Sequence, residues 1–294
     1  MSTTTIPNPL GIHALVWAGN TSDAEVDRAV TQTAAAGYDL LEFSLHDLDS
    51  LDVPRTRALL ENAGLRVACS RGLAFDADVS SDDSATVERG AELLRRSLAA
   101  TSDLGGPIFT GALYSALGKY GHSLSDRGRA NAVGVIRELA AEADGRGMTL
   151  GLEICNRYET NVVNTARQAL RLADDIGADN VMIHLDTYHM NIEEDDFVRP
   201  VLEVGDRLGY VHIGENHRGY LGSGHLDFGP FFHALADIGY SGPITFESFS
   251  SSVVARGLSD DLAVWRDLWD DGEDLAAHAH RFMSNQLAVS AGRG

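Results

Sequence analysis

Four short apolar segments of this sequence each end on a side chain that can bind a metal ion. Apolar and β-branched residues dominate each segment, as is typical of a strand buried in a parallel sheet. The segments are residues 149–153 (TLGLE), 181–186 (VMIHLD), 209–212 (GYVH) and 243–247 (PITFE), and they end on Glu153, Asp186, His212 and Glu247. Because catalytic groups of α/β barrels stand at the carboxyl ends of the strands, the pattern predicts one site built by successive strands.

The rest of the chain repeats the same alternation of a short strand with a helix. Predicted strands at residues 12–16, 40–43, 65–69 and 108–114 precede the four segments and bring the total to eight. The predicted helices between the strands are residues 23–36, 53–63, 85–104, 125–145, 166–176, 197–207 and 228–238. Eight parallel strands separated by helices predict a (β/α)8 TIM barrel. Residues 258–287 supply its last helix and an extra C-terminal one, and we expect residues 1–294 to form a single domain.

The composition excludes several classes of partner. The chain has 43 acidic and 23 basic residues, and its formal charge of −20 repels a phosphate backbone, so we expect no nucleic-acid partner. Cys69 and Cys155 cannot form a disulfide framework and belong to no CxxC pair, which favours a reducing compartment. Residues 1–9 lack the pattern of a signal peptide, and no apolar run approaches a membrane-spanning length. We therefore expect a cytoplasmic protein without membrane contact.

The four strand-end residues form a ligand set of one imidazole and three carboxylates. Such an oxygen-rich set favours Mn²⁺, with Co²⁺ or Mg²⁺ as alternatives, over a tetrahedral structural zinc. Any one of these residues alone could be structural, but three converging carboxylates require a cation to offset the cost of burying their charge. We predict one divalent ion per subunit. His184 lies two residues before Asp186 on the same strand face, and we expect it to be a hydrogen-bonded core residue.

Longer motifs surround these residues and carry a resemblance to a known family. The motifs are residues 152–161 (LEICNRYETN), 184–194 (HLDTYHMNIEE), 211–220 (VHIGENHRGY) and 246–249 (FESF). They resemble the D-tagatose 3-epimerase and D-allulose (D-psicose) 3-epimerase family of the xylose-isomerase-like barrels, and the similarity extends over nearly the whole chain. The resemblance implies a metal-dependent enzyme that inverts C3 of free ketoses, with D-fructose/D-allulose or D-tagatose/D-sorbose as its pair.

The resemblance also implies roles for individual residues and an oligomeric state. Glu153, Asp186, His212 and Glu247 correspond to the family's metal ligands, and Glu153 and Glu247 also to its acid/base pair. Glu159, His189 and Arg218 correspond to residues that hold the sugar's oxygens near its carbonyl end. A homodimer or homotetramer is implied, and Trp265 and Trp269 are either contacts between subunits or packing residues of the last helix.

The chain departs from the family pattern at its first strand. Family members often have an aromatic residue after the opening Gly-Ile, where this chain has His13 and then Ala14. Contacts to the distal end of the sugar therefore need other residues. The candidates are Trp17, Leu113, Tyr114 and Phe249.

Three alternative functions can be weighed against the epimerase. An aldose–ketose isomerase moves a proton between C1 and C2 with similar metal chemistry, but it needs one base where this chain offers Glu153 and Glu247. A metal-dependent endonuclease on the same barrel is disfavoured by the acidic charge and the absence of a basic stripe. A catalytically silent sugar-binding protein is disfavoured by the intact ligand set.

Overall fold

The eight strands of this chain close into a barrel. The computed structural model describes residues 8–292, so the expectation for the N-terminal segment falls largely outside the described residues. All neighbouring strands are parallel and follow chain order, and the eighth strand pairs with the first. The strands are β1 (Leu10–His13), β2 (Leu40–Ser44), β3 (Arg66–Ser70), β4 (Ile108–Gly111), β5 (Thr149–Glu153), β6 (Val181–Asp186), β7 (Leu208–Ile213) and β8 (Ile244–Phe246). The predicted (β/α)8 TIM barrel is confirmed.

Helices connect the strands and surround the barrel. They are α1 (Asp23–Ala35), α2 (Val53–Ala63), α3 (Ser84–Asp103), α4 (Asp126–Asp144), α5 (Ala166–Ile176), α6 (Thr187–Glu193), α7 (Arg199–Val204), α8 (Phe228–Asp237), α9 (Arg256–Asp261) and α10 (Gly272–Ala291). Side-chain caps fix several of their N-termini; the carboxylate of Asp52 accepts from Arg55 N, and the hydroxyl of Ser125 accepts from Gly128 N. Among the described residues, no helix is both long and apolar enough to cross a membrane.

Two predicted strands are shorter in the structure than the sequence indicated. The first leaves the sheet at His13, because the His13 Nδ1 accepts a hydrogen bond from Leu15 N at 3.2 Å and caps a short 3-10 turn. The fourth ends at Gly111, whose φ of 118° turns the chain out of the sheet. The remaining predicted strands and six of the seven predicted inter-strand helices agree with the observed ones within two residues at each end. The helix predicted at residues 197–207 is observed as α7, which ends at Val204 and is followed by a 3-10 turn at Gly205–Arg207. The sequence analysis missed α6, which begins directly after β6.

Alternation along the strands separates an apolar layer from a polar barrel interior. In β6, Ile183 and Leu185 are fully buried in the large apolar core between sheet and helices. His184 and Asp186 alternate with them and face the interior, as do Tyr210 and His212 in β7. The side chains that fill the interior towards the carboxyl ends of these strands are therefore polar. This arrangement brings functional groups from different strands together.

Two helices follow β8, as the sequence analysis predicted. The longer one, α10, packs against α8 and β1, and the hydroxyl of Tyr38 donates to the carbonyl oxygen of Ala276 at 2.9 Å. The shorter one, α9, is the additional element beyond the barrel helices. Trp269 lies between them, where its Nε1 donates to Ser248 Oγ at 2.8 Å and only 4% of the residue is exposed. It is a packing residue of the folded subunit, whereas Trp265 is 72% exposed.

We predict opposite effects of glycine-to-alanine changes at two positions. Gly111→Ala should destabilise the protein by about 3 kcal/mol, because its positive φ disfavours a side chain and an added Cβ would overlap the backbone of Arg71. Gly134→Ala is the matched control: it lies within α4 with open space around it and should stabilise by about 0.5–1 kcal/mol. Urea unfolding measures both, and equal midpoints for Gly111→Ala and the parent would contradict the prediction.

Candidate active site

The four predicted ligands meet at the carboxyl ends of β5 to β8. One oxygen from each carboxylate and one imidazole nitrogen all lie within 4.8 Å of one another, and all four residues are buried. We call this set the ligand quartet: Glu153, Asp186, His212 and Glu247. Asp186 and His212 are paired residues of neighbouring strands, so the sheet itself fixes their spacing. The structure therefore brings the four strand-end residues together at one point.

The imidazole of His212 points a nitrogen into the centre of the quartet. Its Nδ1 lies 3.4 Å from Glu153 Oε1, 3.5 Å from Glu247 Oε1 and 3.9 Å from Asp186 Oδ2. This buried atom has no hydrogen-bond partner, although buried polar atoms are nearly always paired. A ring nitrogen surrounded by three carboxylate groups is a donor set that suits a divalent cation, so the residues present fit a metal ion.

The two glutamates of the quartet differ in their electrostatic surroundings. Burial raises the pKa of Glu153, and the nearby His212 opposes this shift only in part. Burial alone would also raise the pKa of Glu247, but the positive charge of Arg218 overrides it and lowers the pKa to about 2. In the absence of a cation, Glu247 is therefore the more readily ionised carboxylate of the pair.

A strained loop after β7 holds Arg218 against the quartet. Its Nη1 contacts Glu247 Oε2 and lies 3.4 Å from Asp186 Oδ2, while the guanidinium stacks on the Tyr188 ring at 3.9 Å from its centroid. Arg218 has a positive φ of 61°, which is uncommon for a residue other than glycine. The hydroxyl of Ser248 donates to the Arg218 carbonyl oxygen and stabilises this conformation. Strain of this kind clusters at functional sites.

The helix α6 brings His189 to the other side of the quartet. Its first turn is capped by Asp186 Oδ1, which accepts from Tyr188 N at 2.6 Å and leaves Oδ2 facing the quartet. The Nε2 of His189 lies 3.6 Å from Asp186 Oδ2 and 3.9 Å from both Glu153 Oε1 and Glu159 Oε2. The structure therefore gathers all seven residues that the resemblance singled out around one point, including Glu159, His189 and Arg218.

Asn156 is a site residue that the sequence analysis missed. Its backbone N–H donates to His189 Nδ1 at 3.1 Å, and its side-chain amide lies 2.8 Å from His189 Nδ1 and from Glu159 Oε1. Because Nδ1 accepts these hydrogen bonds, Nε2 of neutral His189 carries the proton and points into the site. No spacing or periodicity in the sequence marks this role.

His184 occupies the position expected of a core residue. It is fully buried one layer below the quartet, and its Nδ1 is hydrogen-bonded to Thr110 Oγ1 at 2.8 Å. Its ring meets the His212 ring edge to face, with centroids 4.2 Å apart. The hydrogen-bonded core role predicted for His184 is confirmed.

A cavity of about 530 Å³ opens above the quartet. Among the residues that the sequence analysis considered for contacts to the distal end of the sugar, only two line this cavity. They are His13 and Phe249. Trp17 is turned away and donates from Nε1 to Thr33 Oγ1 at 3.0 Å, so the idea that it compensates at β1 is wrong. Leu113 is fully buried, and Tyr114 donates its hydroxyl to the Glu153 carbonyl oxygen at 2.6 Å. Lining residues that the sequence analysis did not identify include Ser44, His46, Ser70, Phe75, Cys155 and Leu117.

The fold and the site geometry agree with a known family. Residues 30–286 match the family described as the xylose isomerase-like TIM barrel. The chain belongs to this family, among its ketose 3-epimerases. It is therefore an isomerase of the epimerase type, as the sequence motifs indicated.

Individual relatives support this membership over nearly the full chain. A ketose 3-epimerase from Arthrobacter globiformis is 48% identical over 280 residues, covering 95% of this chain and 97% of the relative. An L-ribulose 3-epimerase from Methylomonas sp. is 49% identical over 276 residues, covering 94% and 96%. The crystal structure of a D-allulose 3-epimerase from Methylomonas sp. in complex with D-allulose superimposes with a TM-score of 0.93 at 48% identity, covering 95% of this chain and 97% of the other.

Proposed function

We propose that this enzyme inverts C3 of free ketoses, with D-fructose/D-allulose and D-tagatose/D-sorbose as its substrate pairs. The observation that carries the proposal is the convergence of Glu153 and Glu247 on one point. They come from β5 and β8, which are separated by β6 and β7 in the barrel, so they approach that point from different sides. Inversion of a carbon requires a proton acceptor and a proton donor on its opposite faces, and these two carboxylates meet that requirement.

The ligand quartet is proposed to hold one divalent ion, with Mn²⁺ as the first choice and Co²⁺ or Mg²⁺ as alternatives. The C3 proton of a ketose is too weakly acidic for a carboxylate to remove unaided. A bound divalent ion supplies positive charge that stabilises the negative charge developing on the sugar's oxygens. Three carboxylates and the Nδ1 of His212 leave coordination positions free for substrate, since such ions prefer six ligands.

The two glutamates are proposed to move the proton itself. One carboxylate takes the proton from C3 of the bound ketose, which leaves a planar enediolate. The other glutamate, in its protonated carboxylic acid form, then donates its proton to the opposite face, and the configuration at C3 is inverted. Glu153 and Glu247 are only 9% and 7% exposed, so few water molecules can reach the two carboxyl groups.

The remaining site residues are proposed to orient the sugar. The guanidinium of Arg218 can donate hydrogen bonds to sugar oxygens without changing its charge. The Nε2–H of His189 donates, and the carboxylate of Glu159 accepts from a hydroxyl, near the carbonyl end of the sugar. Because His189 and Glu159 lie 3.9 Å apart, they could also relay a proton between O1 and O2, which keeps an aldose–ketose isomerase as the alternative function.

Replacement of each glutamate by glutamine tests this division of labour. In Glu153→Gln and Glu247→Gln the amide keeps an oxygen for the metal but cannot accept the C3 proton, so turnover should fall by about three orders of magnitude or more. Glu194→Gln is the matched control, since this partly buried carboxylate accepts from Ala166 N outside the site and should retain turnover. Measured kcat values on D-fructose decide the outcome.

Isotope exchange distinguishes the epimerase from its alternatives. Wild-type enzyme incubated with D-fructose in D₂O should place deuterium at C3 of the D-allulose formed, which NMR detects. Deuterium at C1 together with an aldose product would support the isomerase. A protein that binds metal but exchanges no proton in any ketohexose or ketopentose would be a silent sugar-binding protein, and the proposal would be wrong.

Removal of the metal tests the role of the quartet. Chelation should abolish turnover, and Mn²⁺ or Co²⁺ should restore it. Metal should also raise the melting temperature, because the four ligands are assembled only in the folded barrel. Full turnover by exhaustively metal-free protein would exclude the proposed role of the ion.

We further propose that the enzyme assembles as a homodimer or homotetramer, as its family membership suggests. Of the two tryptophans considered as contacts, only Trp265 is exposed on the subunit. Light scattering should give a mass of two or four times 31.5 kDa. A single 31.5 kDa species at every concentration tested would contradict the assembly.

A further inference from the structure

A fully buried carboxylate lies behind the ligand quartet. Glu42 is on β2 and is 0% exposed, and its Oε2 accepts a hydrogen bond from His212 Nε2 at 2.8 Å. The same oxygen accepts from the hydroxyl of Tyr210 at 2.8 Å. Within residues 8–292, the groups close enough to form an ion pair with Glu42 are the histidines His13 and His212. No arginine or lysine of the described chain neutralises it.

The burial of Glu42 is difficult to explain by folding alone. The interior of a TM barrel is commonly filled with branched apolar side chains, which would pack this position without an electrostatic cost. Burying a carboxylate without an arginine or lysine partner is unfavourable, because the charge loses its hydration and gains no permanent counter-charge in return. Its energetic compensation comes mainly from His212, which is itself a member of the quartet.

We infer that Glu42 is a positioning residue that keeps His212 protonated on Nε2 and thereby leaves Nδ1 free to bind the ion of the quartet. The inference rests on the proposed function, since it assigns the quartet to a metal. A neutral imidazole carries one proton, and the hydrogen bond made by one nitrogen decides the state of the other. With a carboxylate 2.8 Å from Nε2, the proton lies there and the Nδ1 lone pair faces Glu153 and Glu247.

Neighbouring groups hold the Glu42 carboxylate in this orientation. The Tyr210 hydroxyl bridges Glu42 Oε2 and Thr245 Oγ1, at 2.8 and 2.7 Å. The ring of His184 packs edge to face against His212 and limits its rotation. The imidazole therefore has a fixed plane as well as a fixed tautomer. Carboxylates that accept from metal-binding histidines in this way typically change metal affinity by about 10–100-fold when they are removed.

Two variants at position 42 test the inference. Glu42→Leu removes the acceptor for His212 Nε2, and we expect the Mn²⁺ dissociation constant to rise about 100-fold. Glu42→Gln can still accept through its amide oxygen but lacks the charge, and we expect a rise of about 10-fold. Affinity is measured by titration calorimetry on metal-free protein.

Asp78→Asn is the matched control for loss of a buried carboxylate. Asp78 is 4% exposed and accepts from Ser80 and Tyr120 in the loop after β3, away from the quartet. This variant should lower the melting temperature but leave the Mn²⁺ dissociation constant within twofold of the parent. A purely structural role for Glu42 predicts the same behaviour for its variants, with lower stability and unchanged affinity, and that result would overturn the inference.

The outcomes separate this inference from the proposed function. If the parent binds no divalent ion, the proposed metal role is wrong and the inference fails with it. If the parent binds the ion and the folded Glu42 variants bind it within twofold as well, only the inference fails. Should Glu42→Leu not fold, Glu42→Gln still decides, because an unchanged Mn²⁺ dissociation constant in folded Glu42→Gln would contradict the inference.

Discussion

The concentration of buried negative charge at one end of the barrel is the constraint on which the rest of the structure depends. Three carboxylates of the ligand quartet and Glu42 behind them lie within or beside the cavity, in a chain whose formal charge is already −20. Such a cluster is stable only when positive charge and hydrogen-bond donors surround it. Arg218, His212 and His189 supply these groups, and a divalent ion would complete them. The need for positive charge beside these carboxylates explains why Arg218 keeps a strained backbone conformation.

The division of the site between strands and loops follows from this constraint. Strands place the four ligands, because paired positions in neighbouring strands are fixed by the sheet's hydrogen bonds. Loops and the short helix α6 place the donors that contact substrate oxygens in the proposed mechanism. A rigid set of ligands beneath a more adaptable set of donors suits a family in which the chemistry is shared and the preferred sugar varies. His13, on the first strand, and Phe249 both line the cavity wall.

Glu153 and Glu247 illustrate how one fold gives two similar groups different properties. Both are buried glutamates at strand ends, yet burial raises the pKa of Glu153 while Arg218 lowers that of Glu247. The difference arises from the loop after β7, which comes close to β8 and not to β5. The two glutamates that are proposed to transfer protons need not have the same pKa. Their different pKa shifts show that each carboxyl group has its own electrostatic environment.

The sequence by itself determined the barrel, its strand order and the four ligands, because the period of apolar residues is a local signal and each ligand directly follows such a run. The sequence-based prediction of strand ends and helix starts was wrong where one side chain redirected the backbone, as His13 does after β1 and Asp186 does at the start of α6. Only the tertiary structure decided the partners: Glu42 and His212 are 170 residues apart in the chain, and Asn156, in the loop after β5, meets His189 in α6. Contacts of this kind arise when the sheet closes, and no pattern within a single segment encodes them.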